Sequence, residues 1–588
     1  MVNVFRIALV FGITALRLAS PLQAQSRVLK TLFMFLVLAL PSVASAETYH
    51  VSVRGSDAAA GTAVAPWRTL QHAVAKLKPG DSAHVGPGIY RERIEFTRGG
   101  TSEAPITLTA MPGARVVVSG ADLLPDAWSP VEGLDGAYSH DWDRRFPING
   151  PNDLTHPADR EHEMTGRAEQ AIHDGRLLRQ VLRREQLAAG TFFVDLDGKK
   201  LYVWLRDGGN PSGTDLEAST RTQWLAAAPG VSHVHVRGIT FRYAANHAQR
   251  GAFFVGGGSR GWLIEDCVFE RANGPGASFA GEGHTIRRCV FQDNGQLGFG
   301  ASGCHQTRVE ECDIYRNNTK GYSNAWEAGG LKITLSRGFV MDRCRAVDNR
   351  GAGIWYDIGN EKAEVSHCYI ADNDEAGIFY EISYSLHAHD NLIVNNANHR
   401  ERPRGAWGFG GITLSSSEDC ILENNTLIGN RDGITFREQN RTTPRIDGGE
   451  HRVLNRNHVI RNNVVAVSQA HNIGLWMDTT FFGPHPGGHD KNDPIFEDPQ
   501  TLNFRFENNL LFALSGQPNY LYGCAWRPKS KPANTAAEFT AISGIVDSSR
   551  VGDPQFTDAL AHDFRLPVGS PASKLGVGVR DLGRIPRR

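Results

Sequence analysis

From Gly353 the chain reads Gly-Ile-Trp-Tyr-Asp-Ile, and from Gly377 it reads Gly-Ile-Phe-Tyr-Glu-Ile. The two stretches match position for position, 24 residues apart. Gly330-Leu-Lys-Ile-Thr-Leu, Gly411-Ile-Thr-Leu-Ser-Ser and Gly433-Ile-Thr-Phe-Arg-Glu fit the same template. A strand has a side-chain period of two. Leu331, Ile354, Ile378, Ile412 and Ile434 therefore face the same side as Ile333, Tyr356, Tyr380, Leu414 and Phe436. Because that side is uniformly apolar, it is the inside.

Working outward from these strands, a second column appears. Cys267, Cys289, Cys312, Cys344 and Cys368 recur with apolar residues three before and two after, and Asn391 and Asn425 continue the series. Five positions beyond each member from Cys289 onward stand Asn294, Asn317, Asn349, Asn373, Asn396 and Asn430, a ladder of turn residues. A unit of 22 to 24 residues holding two or three short strands is about one turn of a parallel β-helix, each coil stacked on the last at the ~4.8 Å strand spacing. The expected fold is all-β, a right-handed single-stranded parallel β-helix. Two longer steps mark loops at 318–329 and 398–408. Stacked cysteines at the strand spacing lie wider apart than the ~3.8 Å between Cβ atoms of a disulfide. They read as a buried thiol stack, and their spacing does not suit zinc.

A solenoid must cover its ends. Residues 66–77 (PWRTLQHAVAKL), followed by a Pro-Gly stop, predict an amphipathic N-terminal capping helix. From 124 to 226 the period is lost, and TFFVDLDGKKLYVWLRD predicts two strands around an Asp-Gly turn. The expected organisation is a signal region at 1–46, cap and first coils at 47–123, and an inserted β-rich subdomain at 124–226. The main helix follows at 227–515, then C-terminal coils with a closing tail at 516–588.

The first 46 residues hold two apolar runs, both shorter than the ~20 residues of a membrane span. The second follows Arg27 and Lys30 and ends in Ser-Val-Ala-Ser-Ala, predicting signal-peptide cleavage after Ala46 and a secreted or periplasmic protein. With 62 basic and 63 acidic residues, the chain carries no overall charge for nucleic acid or an anionic membrane. A monomer with no membrane span after cleavage is expected.

The outward positions of the Gly strands form two columns. One holds Lys332, Trp355, Phe379, Thr413 and Thr435, the other Thr334, Asp357, Glu381, Ser415 and Arg437. Asp357 and Glu381 are neighbours in their column, so a carboxyl separation of about 5 Å is natural, the distance of a retaining glycosidase pair. An inverting pair needs ~6.5–9.5 Å, and the positions a coil further away are not acids. Carboxylates this close split their pKa values. Asp357 and Glu381 are thus the candidate catalytic residues. Trp355 and Phe379 would offer flat faces to sugar rings or to a covering loop. Lys332 and Arg437 would bind substrate or pair with the acids. Trp326, Glu327 and Trp407, on the two loops, would wall the cleft. Asp478 repeats the GxWxD pattern as a further subsite candidate, whereas His387 and His389 fall on the next strand.

The motifs GIWYDIGN and GIFYEIS, together with the interrupted β-helix, resemble glycoside hydrolase families 120 and 141. The resemblance implies an Asp nucleophile and a Glu acid/base on adjacent coils, which fall on Asp357 and Glu381, and a carbohydrate substrate with no cofactor. The alternative is a uronate lyase, in which Asp357, Glu381 and Glu327 would bind Ca²⁺ and Lys332 or Arg437 would take the C5 proton. A non-catalytic glycan-binding β-helix is the third reading.

Overall fold

Left-handed backbone corners shape each coil of the computed structural model, which describes residues 46–146, 154–398, 409–438, 441–476, 499–523, 531–559 and 561–579. The residue before each member of the Cys and Asn column is left-handed: Asp266, Arg288, Glu311, Arg343, His367, Asp390 and Asn424 have φ between 50° and 55°. The residue before each ladder asparagine is too, as at Asp293, Arg316, Asp348, Asp372 and Asn395. An isolated left-handed residue turns the chain sharply without starting a helix, at a cost of about 1–2 kcal/mol for a side chain other than glycine. Three short strands joined by such corners make one coil.

Stacking the coils yields three thirteen-stranded sheets among the described residues, parallel except for one antiparallel strand at the C-terminal end of one sheet. Inward side chains fill a single core in which Phe241, Phe269 and Phe291 stack at 5.3 and 4.8 Å. Cys267, Cys289, Cys312, Cys344 and Cys368 are buried free thiols.

The ladder asparagines bond to one another through the stack. The Nδ2 of Asn317 donates to Oδ1 of Asn349, that of Asn349 to Asn373, and that of Asn373 to Asn396, at 3.0, 2.9 and 2.9 Å. Each amide also ties its coil to backbone. In the middle rung, Asn373 donates to the carbonyl of Ala346 and accepts from the N–H of Asn349. Asn391, Asn425, Asn463 and Asn509 form a second such ladder below the cysteines.

The helix passes directly from residues 94–119 to 225–242, whose strands pair in parallel register. The chain between them builds a four-stranded and a five-stranded sheet, with Thr191–Asp195 and Lys200–Trp204 antiparallel across the Asp-Gly turn. These sheets have their own core around Trp142, Phe192, Leu201 and Val203.

The N-terminal helix, α1 (Leu70–Lys76), is shorter than the expected 66–77. Trp67 is bridged to Val51 as extended chain, and Thr69 caps the helix by accepting from the N–H of His72. Leu70, Ala73, Val74 and Leu77 enter the main core. The other end of the core is covered from within the C-terminal segment 516–588. Helix α2 (Ala536–Ser543) inserts Phe539 into the core, stacked on Tyr520 at 4.6 Å. The tail instead runs along the outside, with Phe564 and Val579 packed on Val347, Val394 and Ile428. No helix among the described residues is long and apolar enough to cross a membrane. The expected signal region lies outside the described residues except for Ala46.

Two outcomes are expected from this architecture. Asn373→Ala strips partners from Asn349 and the Ala346 carbonyl, and each buried group left unpaired costs about 1–3 kcal/mol, so the urea midpoint should fall clearly without loss of thiol burial. The thiols of Cys267, Cys289, Cys312, Cys344 and Cys368 should react with a thiol reagent in unreduced, denatured protein and stay protected in the native state.

Candidate active site

One of the three sheets carries all the Gly strands: β1 (Gly329–Thr334), β2 (Ala352–Asp357), β3 (Ile378–Glu381), β4 (Ile412–Ser415), β5 (Asp432–Arg437) and β6 (His471–Trp476). Lys332 pairs with Trp355, Trp355 with Phe379, Phe379 with Thr413 and Thr413 with Thr435. In the neighbouring column Thr334 pairs with Asp357, Glu381 with Ser415 and Ser415 with Arg437. Tyr356 pairs with Tyr380, which sets Asp357 and Glu381 side by side in the next position. Strand spacing puts their backbones about 4.8 Å apart. Each acid closes its strand, and Ile358 and Ile382 behind them are left-handed, with φ of 55° and 38°. β-branched residues rarely adopt that conformation.

These outward columns are not open to solvent. Asp357 is 6% and Glu381 7% exposed, and Lys332, Trp355, Phe379 and Arg437 are buried as well. The flat faces expected to meet a sugar or a covering loop are filled by protein. Lys332 Nζ lies 3.9 Å from the Trp355 ring centre, Trp355 stacks on Phe379 at 5.2 Å, and Phe409 meets Phe379 edge-on at 5.4 Å. The Arg437 guanidinium sits 5.0 Å from both phenyl rings. Trp355 and Phe379 thus lie packed with Ala352, Ala376 and Phe409.

The ionic contacts divide the two acids. Lys332 Nζ lies 2.9 Å from Asp357 Oδ2, donates to the Trp326 carbonyl at 3.0 Å and reaches Glu327 at 3.8 Å. Glu381 Oε1 accepts from Arg441 at 3.1 Å, with Arg437 at 3.7 Å. Burial pushes the Glu381 carboxyl above the usual range and the charge of Asp357 pushes it further, against the pull of Arg437, Arg441 and Lys332. Burial also raises Glu327 and brings Arg437 down to about 10. Among the described residues, Oδ1 of Asp357 and the indole N–H of Trp355 are buried atoms without a hydrogen-bond partner.

Trp326 and Glu327 stand at the edge of this space. The Trp326 ring stacks on His156 of the inserted subdomain at 4.6 Å. Sequence reasoning missed His156, Arg441, Phe409 and Glu375. Glu375 is buried, and its charge helps keep Arg437 protonated. Arg441 comes from an antiparallel hairpin, Arg441–Pro444 with Glu450–Val453, whose only sequence signal is its Asp-Gly-Gly turn. Trp407 and Asp478 lie outside the described residues, and it is Trp476 that pairs with Arg437. His387 and His389 lie on a different sheet, near Glu423 and Asp390.

Residues 250–426 match the family model of the right handed beta helix region. Pectate lyase PEL9 of Emericella nidulans is 38% identical over 96 residues, which is 16% of this chain and 23% of that protein. The chain thus aligns with less than a quarter of its curated relative. The solved structure of XylC with xylose is 18% identical, covers 82% of this chain and 87% of that chain, and superposes with a TM-score of 0.62. Register, core and these likenesses agree that the chain is a right-handed parallel β-helix protein.

Proposed function

We propose that the chain is a secreted retaining glycoside hydrolase in which Asp357 is the nucleophile and Glu381 the acid/base. The reading is carried by one observation: two buried carboxyl groups on adjacent rungs, each with one oxygen held by cations. Lys332 holds Oδ2 of Asp357 and leaves Oδ1 unpartnered. Arg441 and Arg437 face Oε1 of Glu381, so a proton on that residue belongs on Oε2.

In the first step Asp357 Oδ1 attacks the anomeric carbon while Glu381 delivers its proton to the departing glycosidic oxygen. The bond to Asp357 forms an ester and removes its negative charge. That charge is one of the two influences raising Glu381, so the acid becomes stronger once the glycosyl-enzyme exists. It is then better suited to ionise and take a proton from water, whose oxygen releases the sugar with its configuration retained. The indole N–H of Trp355 is available to a hydroxyl of the bound ring. The fold is shared with XylC, whose structure was solved with xylose, and this supports a saccharide as the class of substrate.

A uronate lyase is the second reading, favoured by the identity with pectate lyase PEL9. Its calcium would require several oxygen ligands. The carboxylates of Asp357 and Glu381 instead face Lys332, Arg437 and Arg441, and among the described residues no group of three or more His, Cys, Asp or Glu side chains is placed to hold a metal ion. The donor set does not fit that ion.

Asp357→Ala should abolish turnover of aryl glycosides. Glu381→Gln should lower kcat/KM about 10²- to 10⁴-fold on poor leaving groups and far less on good ones, and added azide should restore rate to either variant with products of opposite anomeric configuration. Parent-like rates for both variants would sink the assignment, and products bearing a conjugated unsaturated uronate, without added water in their mass, would establish the lyase. Arg441→Ala removes a cation that stabilises ionised Glu381. The alkaline limb of kcat/KM, which reports loss of the acid's proton, should therefore move to higher pH.

A further inference from the structure

The column that holds Lys332 and Trp355 continues toward the N-terminal end as Gly300, Ser278 and Phe254, in unbroken register. Gly300, Ser278 and Phe254 are partly exposed, unlike the buried positions at the acids, and Ser302 in the next column is fully so. Towards the N-terminal end this outer face is therefore less covered than at the acids, and the coil of Phe254 lies about 19 Å from that of Asp357 at the usual strand spacing. The turn above it is tied to the site: Gln249 N–H donates to Gln296, whose amide donates to the carbonyl of Glu327.

At that far end lies a cavity of about 200 Å³ lined by Phe146, Gln223, Asn246, His247 and Arg250. A larger one of about 610 Å³, lined by Arg93, Arg144, Arg145 and Arg221, shares its Phe146 and Thr222 walls. Five arginines line the two cavities against a single carboxylate, Asp143, in a chain whose overall charge is −1. Arg221 is paired with Asp122 at 2.8 Å, Arg93 with Glu95 at 3.4 Å and Arg145 with Asp197 at 3.5 Å. Among the described residues Arg144 and Arg250 face no carboxylate within ion-pair distance, and Arg250 lies over the Phe254 ring at 4.9 Å. Gln223 is 6% exposed, and its buried amide N–H has no acceptor.

We propose that the paired cavities bind the carboxylate of a uronic acid residue, so that the substrate is an acidic oligosaccharide reaching along this face to a scissile bond at Asp357 and Glu381. An arginine fork matches a planar carboxylate. The Gln223 amide supplies a donor to a ring or hydroxyl oxygen, and Phe146 supplies an apolar wall for the pyranose. The inference rests on the hydrolase reading only for the fate of the sugar, because binding can be measured without turnover.

Calorimetric titration of the mature Asp357→Ala chain with methyl β-glucuronide and methyl β-glucoside tests it. The glucuronide should bind at least tenfold more tightly, weaken as salt is raised, and lose its advantage when Arg144→Ala and Arg250→Ala are added. Both arginines are exposed, so the melting temperature should be unchanged by that pair. Equal affinity for the two glycosides, or a preference that survives loss of both arginines, would overturn the proposal. A preserved preference in a protein that hydrolyses no glycoside would sink the hydrolase reading and leave this site standing.

Discussion

Parallel stacking at one fixed strand spacing is the constraint on which the rest of the molecule depends. Once a coil is laid on its predecessor in register, each side chain lies over the residue at the same position one coil earlier. A column is then stable only if its members tolerate their own kind. Phenylalanines do so by stacking, thiols by packing, and asparagines by a reciprocal amide chain in which every rung both donates and accepts. Buried amides are costly when unpaired and strongly ordering when paired. The two asparagine ladders therefore hold the coils to a single register.

Carboxylates are the one residue type in these columns that does not tolerate its own kind, and this makes Asp357 and Glu381 stand out. Their repulsion is relieved from three directions. Lys332 comes from the coil before, Arg437 from two coils beyond Glu381, and Arg441 from a hairpin outside the repeat. Each cation contacts only one of the acids closely. The compensation thereby distinguishes them in their contacts, and Glu381 keeps a carboxyl raised by burial and by the charge of Asp357.

The columns, the inward and outward faces, the acid pair and its flanking cations were all legible in the sequence, because each follows from a period that the residues display directly. Burial of the site was not. Which side of a strand faces away from the core is a local property, whereas whether that side is covered depends on residues such as Phe409 and Arg441 that belong to no repeat. Trp355 and Phe379 illustrate the difference: their positions were read correctly, but their faces are taken by Lys332, by each other and by Phe409. His156 was invisible for a similar reason, since it reaches Trp326 from the inserted subdomain. The helix at 536–543, which covers a core end through Phe539, also lies outside the period.

The uninterrupted pairing of residues 94–119 with 225–242 bears on how the chain acquires its fold as it is made. The first coils appear early, but the strands that complete their edge follow only after roughly a hundred further residues have been added. Closing so long a loop is slow compared with local pairing. The intervening segment has a core of its own around Trp142 and Phe192 and is equipped to condense while the first coils wait. Its early collapse would shorten the effective distance between the two edges. The interruption would then act as a clasp that brings the start of the solenoid to the strands that extend it.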